Sequence, residues 1–309
     1  MTLPLPQSSG DLIADRRCAI AQELSTRGDL AGAADLLVQA IEAAPRFVSA
    51  WFTLGQIREK LGRHDDAIAA FQQVCALDPE DRLGAGLHLV RLGALPPGDM
   101  PAAYVRALFD QFAPRFETTL NEGLGYRGPQ LLRDAVAAAC TAEGRARRFA
   151  AMLDLGCGTG LAGAVFRPMV RELIGVDLSA RMIERARAKN IYDRLVLGDL
   201  AQFMHGEARD RRRYELIVAA DVFIYLAWLP SVIAAAAGVL APGGLIAFTV
   251  ETHVGDDVIL GAKLRYQHGI AHVQAAIAGA GLKMLGLSEA WARQEAGAEA
   301  PGLVVVARL

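Results

Sequence analysis

The chain has 309 residues, 53% of them hydrophobic, and carries 32 basic against 34 acidic side chains for a formal charge of −2. That length suits two domains, each with a core of its own. With no basic excess, bulk electrostatics gives no support to nucleic-acid binding, and no nucleic-acid partner is expected. Cys18, Cys75, Cys140 and Cys157 are scattered, with neither CxxC spacing nor histidines at zinc-ligand spacing; free thiols and no metal are expected. The first residues lack a basic stretch followed by an apolar one, and no run approaches the roughly 20 apolar residues that span a bilayer. A cytoplasmic protein without a membrane partner is the expectation.

In chain order, a tail over residues 1–13 precedes an internal repeat. "RGDLAGAADLLVQAIEAAP" aligns with "LGRHDDAIAAFQQVCALDP": Gly28 falls on Gly62, Ala33 on Ala67, Leu37 on Phe71, Ala40 on Val74 and Pro45 on Pro79, each at an offset of 34. The small alanines let paired helices approach, Leu37 and Phe71 fill the gap between them, and the prolines close each unit. Trp51, Leu54 and Gly55 extend the second copy upstream, where the first copy has Arg17 in place of Trp51. In spacing and residue type the segment resembles the tetratricopeptide family. Residues 14–95 are expected to form such repeats, closed by a capping helix over Asp81–Leu95. The repeats offer either a concave surface for a protein or peptide, or an arm for packing and self-association.

"PPGDMP" (Pro96–Pro101) is the best linker. A short helix with Tyr104, Phe109, Phe112 and Phe116 should follow, then a turn around Gly123–Gly128 and a second helix. The span 96–128 is read as linker and lid helix, and 129–309 as the last domain.

From Phe149 the period changes. "AAMLDL", "ELIGVDL", "RLVLGDL", "ELIVAAD" and "GLIAFTVE" alternate with helical patterns, and each ends in or near an acidic residue. This is the rhythm of a doubly wound parallel sheet, whose ligands bind outside the carboxyl ends of the strands. "LKMLGLSEA" and "GLVVVARL" are joined only by hydrophilic residues, which predicts a terminal antiparallel hairpin.

The first strand runs into "LDLGCGTG" (Leu153–Gly160). A dinucleotide loop would read G-x-G-x-x-G; here Gly156, Gly158 and Gly160 alternate, and Asp154 stands two places before the first. Asp177 ends the second strand, where a carboxylate can accept hydrogen bonds from ribose hydroxyls, and Asp199 ends the third. With the terminal hairpin, these features resemble class I S-adenosylmethionine-dependent methyltransferases. The fold implied is a Rossmann-like α/β sheet behind an all-α repeat domain. The whole chain is similar to bacterial predicted methyltransferases that carry a tetratricopeptide module. The resemblance implies S-adenosylmethionine as cofactor and S-adenosylhomocysteine as product, held by Asp154, Gly156, Cys157, Gly158, Gly160, Asp177, Leu178, Asp199, Leu200 and Asp221. Asp199 resembles the residue that receives the adenine amine. Cys157 is read as part of the loop backbone, not as a nucleophile. The segment Phe109–Glu117 resembles a lid that in the family carries two tyrosines and a final aspartate; Phe and Glu117 stand there instead. The alternative for it is plain helix packing.

The acceptor end is less specific. Asp221-Val222-Phe223-Ile224 lacks the proline pair of DNA and glutamine N-methyltransferases, and no cysteine nucleophile stands near the fourth strand. Arg265, Tyr266 and His268 in "LRYQHG", with His253 and Tyr225, are the candidates for acceptor handling: Arg265 to hold a carboxylate, His268 to take a proton. The alternative is a capped helix start with solvated polar residues. The basic run "RDRRR" (Arg209–Arg213) is a solvated loop or a contact for a polyanion. The expected reaction is methyl transfer to O or N of a small molecule. The alternatives are a protein acceptor recruited by the repeats, or an interaction protein that binds the cofactor with little turnover.

Overall fold

The computed structural model describes residues 8–120, 125–295 and 298–309. The chain divides into two compact units between Pro97 and Gly98, within the proline-rich stretch. Gly123, in the expected turn before the second helix, lies outside the described residues.

The first unit is helical: α1 (Leu12–Thr26), α2 (Leu30–Ala43), α3 (Val48–Lys60), α4 (His64–Leu77) and α5 (Ala85–Arg91). Aspartates start two of these helices. Asp11 accepts the Ile13 and Ala14 N–H groups at 2.8 and 2.9 Å, and Asp29 accepts Gly32 N–H at 2.9 Å, satisfying donors that a helix start leaves open. Ala33, Leu37 and Ala40 join Ala14, Cys18 and Leu54 in one core; Phe52, Ala67, Phe71 and Val74 join Ala85 and Leu89 in the next. Gly55 is needed for close approach, since a Cβ there would lie 2.7 Å from the Phe71 ring. Arg17 and the Trp51 it aligns with bond differently: the guanidinium donates forward to Gln39 O at 3.0 Å, whereas Trp51 Nε1 donates back to Pro45 O at 2.9 Å. The capping helix is shorter than expected. Asp81, at φ 48°, turns the chain and accepts the Ala85 and Gly86 N–H groups, so α5 begins only at Ala85.

The second unit opens with α6 (Ala102–Phe112), a 3-10 turn (Ala113–Arg115), a short α7 (Phe116–Thr118) and α8 (Gly128–Ala142). Then come β1 (Phe149–Leu155), α9 (Leu161–Phe166), β2 (Val170–Asp177), α10 (Ala180–Ala188), β3 (Arg194–Leu197), α11 (Leu200–Arg209), β4 (Tyr214–Ala219), α12 (Leu229–Ala237) and β5 (Leu240–Glu251). The chain closes with β6 (Val258–Leu260), β7 (Tyr266–His268), α13 (Ile270–Gly279), β8 (Lys283–Ala290), β9 (Gln294–Glu295), β10 (Ala298–Glu299) and β11 (Gly302–Arg308). The main sheet runs β3-β2-β1-β4-β5-β11-β8. Its first five strands are parallel; β11 is antiparallel to both neighbours. The terminal hairpin thus enters with its last strand innermost, and β9–β10 forms a small separate ribbon at its tip.

Alternation along the buried strands feeds both faces. Leu153, Ile246, Phe248 and Val305 pack against α12 and α13; Met152, Leu245, Ala247 and Val304 pack against α8 and α9. "LRYQHG" forms β7, a strand, rather than a helix start. It pairs with β6 and with the end of β5 at Glu251↔Gln267. No helix among the described residues is long and apolar enough to cross a membrane, and no group of three His, Cys, Asp or Glu among them could hold a metal ion.

Phe71 has no exposed surface and meets Phe52 edge-on at 5.7 Å and His88 stacked at 4.4 Å. Truncation to alanine removes the centre of the second helical core. Phe71→Ala is expected to cost about 3–5 kcal/mol, read as a lowered denaturant midpoint by far-ultraviolet circular dichroism.

Candidate functional site

The carboxyl ends of β1, β2 and β4 bring Asp154, Asp177 and Asp221 to one edge of the sheet. Between β1 and α9 the loop turns through Gly156, Gly158 and Gly160 at φ 61°, 54° and 89°, a region L side chains rarely enter. At Gly156 a Cβ would also lie 2.6 Å from Val222 Cγ2; at Gly158 it would meet nothing nearer than Phe116, at 3.9 Å. The loop therefore backs onto the turn after β4, while its centre lies under the Phe116 ring.

Asp154 is 1% exposed. Burial pushes its carboxyl up to about 7, against the pull of a 2.6 Å hydrogen bond from the Tyr192 hydroxyl. Tyr192 carried no signal in the sequence. Its ring lies where side chains at Gly160, Gly163 and Gly175 would be: Cβ atoms there would come within 3.0, 2.3 and 2.8 Å of it. The signal that could have found it is this excess of glycine on the loop after β1, on α9 and on β2.

Asp177 is buried, and its two oxygens accept Gly158 N–H and Ser179 N–H, each at 2.8 Å. Each oxygen retains a lone pair. Burial raises this carboxyl, opposed by those two donors. Cys157 is buried, and burial with Asp154 and Asp177 nearby holds its thiol well above the ordinary value, which fits a loop residue better than a nucleophile. Asp199 caps α11 through Gln202 N–H at 2.9 Å. Leu178 and Leu200, which follow the two strand-end aspartates, are half-buried.

The segment from α6 to α7 lies against this edge. Asp110 accepts the Ser179 hydroxyl at 2.5 Å, Pro114 O accepts from Arg185 at 3.1 Å, and Glu117 pairs with Lys189 at 2.7 Å. Phe109 meets Phe116 at 6.2 Å and Tyr225 at 5.3 Å. The aromatic stripe thus spans from the glycine loop to the turn after β4.

Asp221, at φ 57°, donates its N–H to Thr249 Oγ1 at 2.8 Å and accepts the Thr249 hydroxyl at 3.0 Å. Arg293 pairs with both Asp221 and Glu251, and Arg265 donates to Glu251 at 2.7 Å. Arg293, in the loop of the terminal hairpin, carries no signal in the sequence either, because a polar loop residue bears no mark of its long-range partners. Tyr126 is half-buried; burial, with Asp221 close by, keeps its phenol well above the ordinary range.

The structure buries Arg265, Tyr266 and His268 of the expected acceptor wall. Tyr266 has no exposed surface, and its hydroxyl donates to Gly98 O, so it pins the start of the unit. His268 also has none; its Nε2 sits 3.3 Å from Phe223 O, and its ring stacks on His272. Arg265 is buried in the ion-pair network. All three are buried because β7 pairs with the end of β5 and with β6 instead of lying open as a loop.

Residues 153–246 match the model of a methyltransferase domain, and residues 18–82 that of a tetratricopeptide repeat. The chain is 33% identical over 148 residues to human methyltransferase-like protein 27, covering 47% of this chain and 57% of that protein. It is 31% identical over 155 residues to malonyl-[acyl-carrier protein] O-methyltransferase of Enterobacter lignolyticus, covering 50% and 55%. It therefore spans little more than half the length of these curated relatives. Magnesium protoporphyrin IX methyltransferase from Synechocystis, solved with bound S-adenosylhomocysteine, has the same fold at a TM-score of 0.50 and 17% identity, covering 67% of this chain and 98% of that one. The second unit has the class I methyltransferase fold. The chain carries a methyltransferase domain behind tetratricopeptide repeats.

Tyr192→Phe keeps the ring in its slot and deletes the hydrogen bond to a buried carboxylate. It is expected to cost about 1–2 kcal/mol and to move Asp154 further above 7, read by carbon-detected titration of the carboxyl. His268 gives a second test. Burial lowers its pKa from 6.5 to about 4, so the unfolded chain takes up its proton first. Stability from this group is complete above pH 6.5 and is lost as pH falls toward 4. His268→Gln should flatten that part of the urea-midpoint profile.

Proposed function

We propose that the chain is an S-adenosylmethionine-dependent methyltransferase. The observation that carries the reading is the loop of positive-φ glycines held between two strand-end carboxylates, Asp154 and Asp177. A buried carboxyl at about 7 is suited to receive a cation, and the ammonium of the amino-acid end would restore its charge. Gly156, Cys157, Gly158 and Gly160 present backbone to that end, and the start of α9 favours its carboxylate. The second lone pairs of Asp177 are available to ribose hydroxyls, with Leu178 beside them, and Asp199 and Leu200 flank the base. Asp221 closes the site next to Val222.

When bound, the cofactor supplies a methyl group on a sulfonium. The chain's share is to orient the acceptor in line and to keep water out. Phe109, Phe112, Phe116 and Tyr225 form the apolar cover, held down through Asp110 and Glu117. The acceptor we favour is a small molecule taking the methyl on O or N, next to Asp221. The repeat match over residues 18–82 favours a second reading, a protein acceptor recruited by the helical unit. Labelled methyl transferred from the cofactor into protein rather than into the small-molecule fraction of an extract would select it. Cofactor binding without transfer into either would leave an interaction protein.

Calorimetry with S-adenosylmethionine and S-adenosylhomocysteine, with NADH as control, tests the reading. Both should bind and NADH should not. Asp177→Ala should weaken binding on the order of a hundredfold, the loss of about 3 kcal/mol in charge-assisted hydrogen bonds. Asp154 adds a signature: its pKa falls on binding, so complex formation at pH 7 should release about half a proton. The release is read as the slope of binding enthalpy against buffer ionisation enthalpy. Proton uptake would remove Asp154 from the ammonium site.

A further inference from the structure

Two arginine-rich stretches far apart in sequence, "RARR" (Arg145–Arg148) and "RDRRR" (Arg209–Arg213), meet at the amino-terminal edge of the parallel sheet. β1 pairs Phe149 with Val170, and the Met152–Leu216 register carried back along the strands sets Arg213 beside Phe149. Arg148, Arg171 and Arg213 therefore fall within two residues of one row, on strands about 4.8 Å apart. Arg209 ends α11, and Arg211 stands in the turn that leads into β4. The side chains of Arg147, Arg148, Arg171, Arg209, Arg211 and Arg213 are exposed.

The acids of this edge are already engaged. Glu172 pairs with Arg212, Glu207 with Arg194 and Arg212, Asp193 with Arg167, and Glu143 with Arg308; Glu215 accepts Ala150 N–H. Arg147 donates to Thr141 Oγ1 and Arg213 to Arg212 O, which leaves their charges uncompensated. Among the described residues none of the six exposed arginines has a carboxylate partner, and Asp210 is the exposed acid in their midst. A concentrated positive edge thus stands on a chain of net charge −2. It lies about 20 Å from the glycine loop, the length of a strand of this size.

We infer that this edge is a docking surface for an acidic segment of a protein partner. Guanidinium forks match carboxylates in bidentate geometry. Two features favour a short acidic peptide over a nucleic acid. Trp228, the one exposed Phe, Tyr or Trp among the described residues, follows the opposite end of β4, so the edge offers no exposed side chain of these types for base stacking. The remainder of the chain is net acidic, so a polyanion running past the patch meets repulsion that a short segment avoids.

The test is fluorescence anisotropy of the full-length protein with a labelled glutamate decamer and, in parallel, a labelled uridine decamer. The patch variant R148Q/R171Q/R211Q/R213Q is compared with the control R16Q/R46Q/R63Q/R187Q, which removes equal charge from exposed positions elsewhere. Thermal midpoints establish that both are folded. The glutamate peptide should bind wild type, and more weakly as salt is raised from about 50 to about 200 mM. The patch variant should lose on the order of tenfold in affinity, with the control near wild type. No binding to wild type, or equal loss in both variants, overturns the inference. Tighter binding of the RNA, lost in the patch variant, overturns the choice of partner and assigns the edge to phosphate.

Discussion

The hydrogen bond from Tyr192 to Asp154, inside a slot kept clear by Gly160, Gly163 and Gly175, is the contact around which the carboxyl edge of the sheet is arranged. A carboxylate at the end of a central strand is costly to desolvate. Here burial raises its pKa to about 7, and one short hydrogen bond resists that rise. The Tyr192 ring can reach the carboxylate only because the loop, α9 and β2 each place a glycine against it. The geometry of the glycine loop is thus set from behind, by packing, as well as by its own positive φ angles.

The same edge carries a second buried polar system. Asp221, Arg293, Glu251 and Arg265 join the turn after β4, the end of β5, the start of β7 and the tip of the terminal hairpin. Breaking such a network leaves uncompensated charge in a low-dielectric place. The hairpin is therefore tied to the site by charge as well as by its ladder with β5. Insertion of β11 between β5 and β8 carries Arg293 to Asp221, across 72 residues of sequence.

Legibility followed the range of the interactions. The repeat was readable because each copy builds its own local helix pair, so Ala33, Leu37, Ala67 and Phe71 recur at matched positions. The five parallel strands were readable from apolar runs ending in acids, and the glycine spacing from the turn it must make. "LRYQHG" carried no such local signal. Its polar letters suggest an exposed loop or helix start, yet pairing with β5 and β6 buries Tyr266 and His268 completely. Burial of a short polar strand is decided by what packs on it, and a local window holds no record of that.

By itself the sequence determined the order of elements, the helical repeat, the positive-φ glycine loop and the strand-end aspartates, because each follows from local sterics or from periodicity. Only the tertiary structure decided that Tyr192 holds Asp154, that Arg293 reaches Asp221, that β7 turns inward, and that two arginine runs form one edge. These pairings join residues distant along the chain, and side-chain contact across strands depends on register and topology, which no single segment encodes.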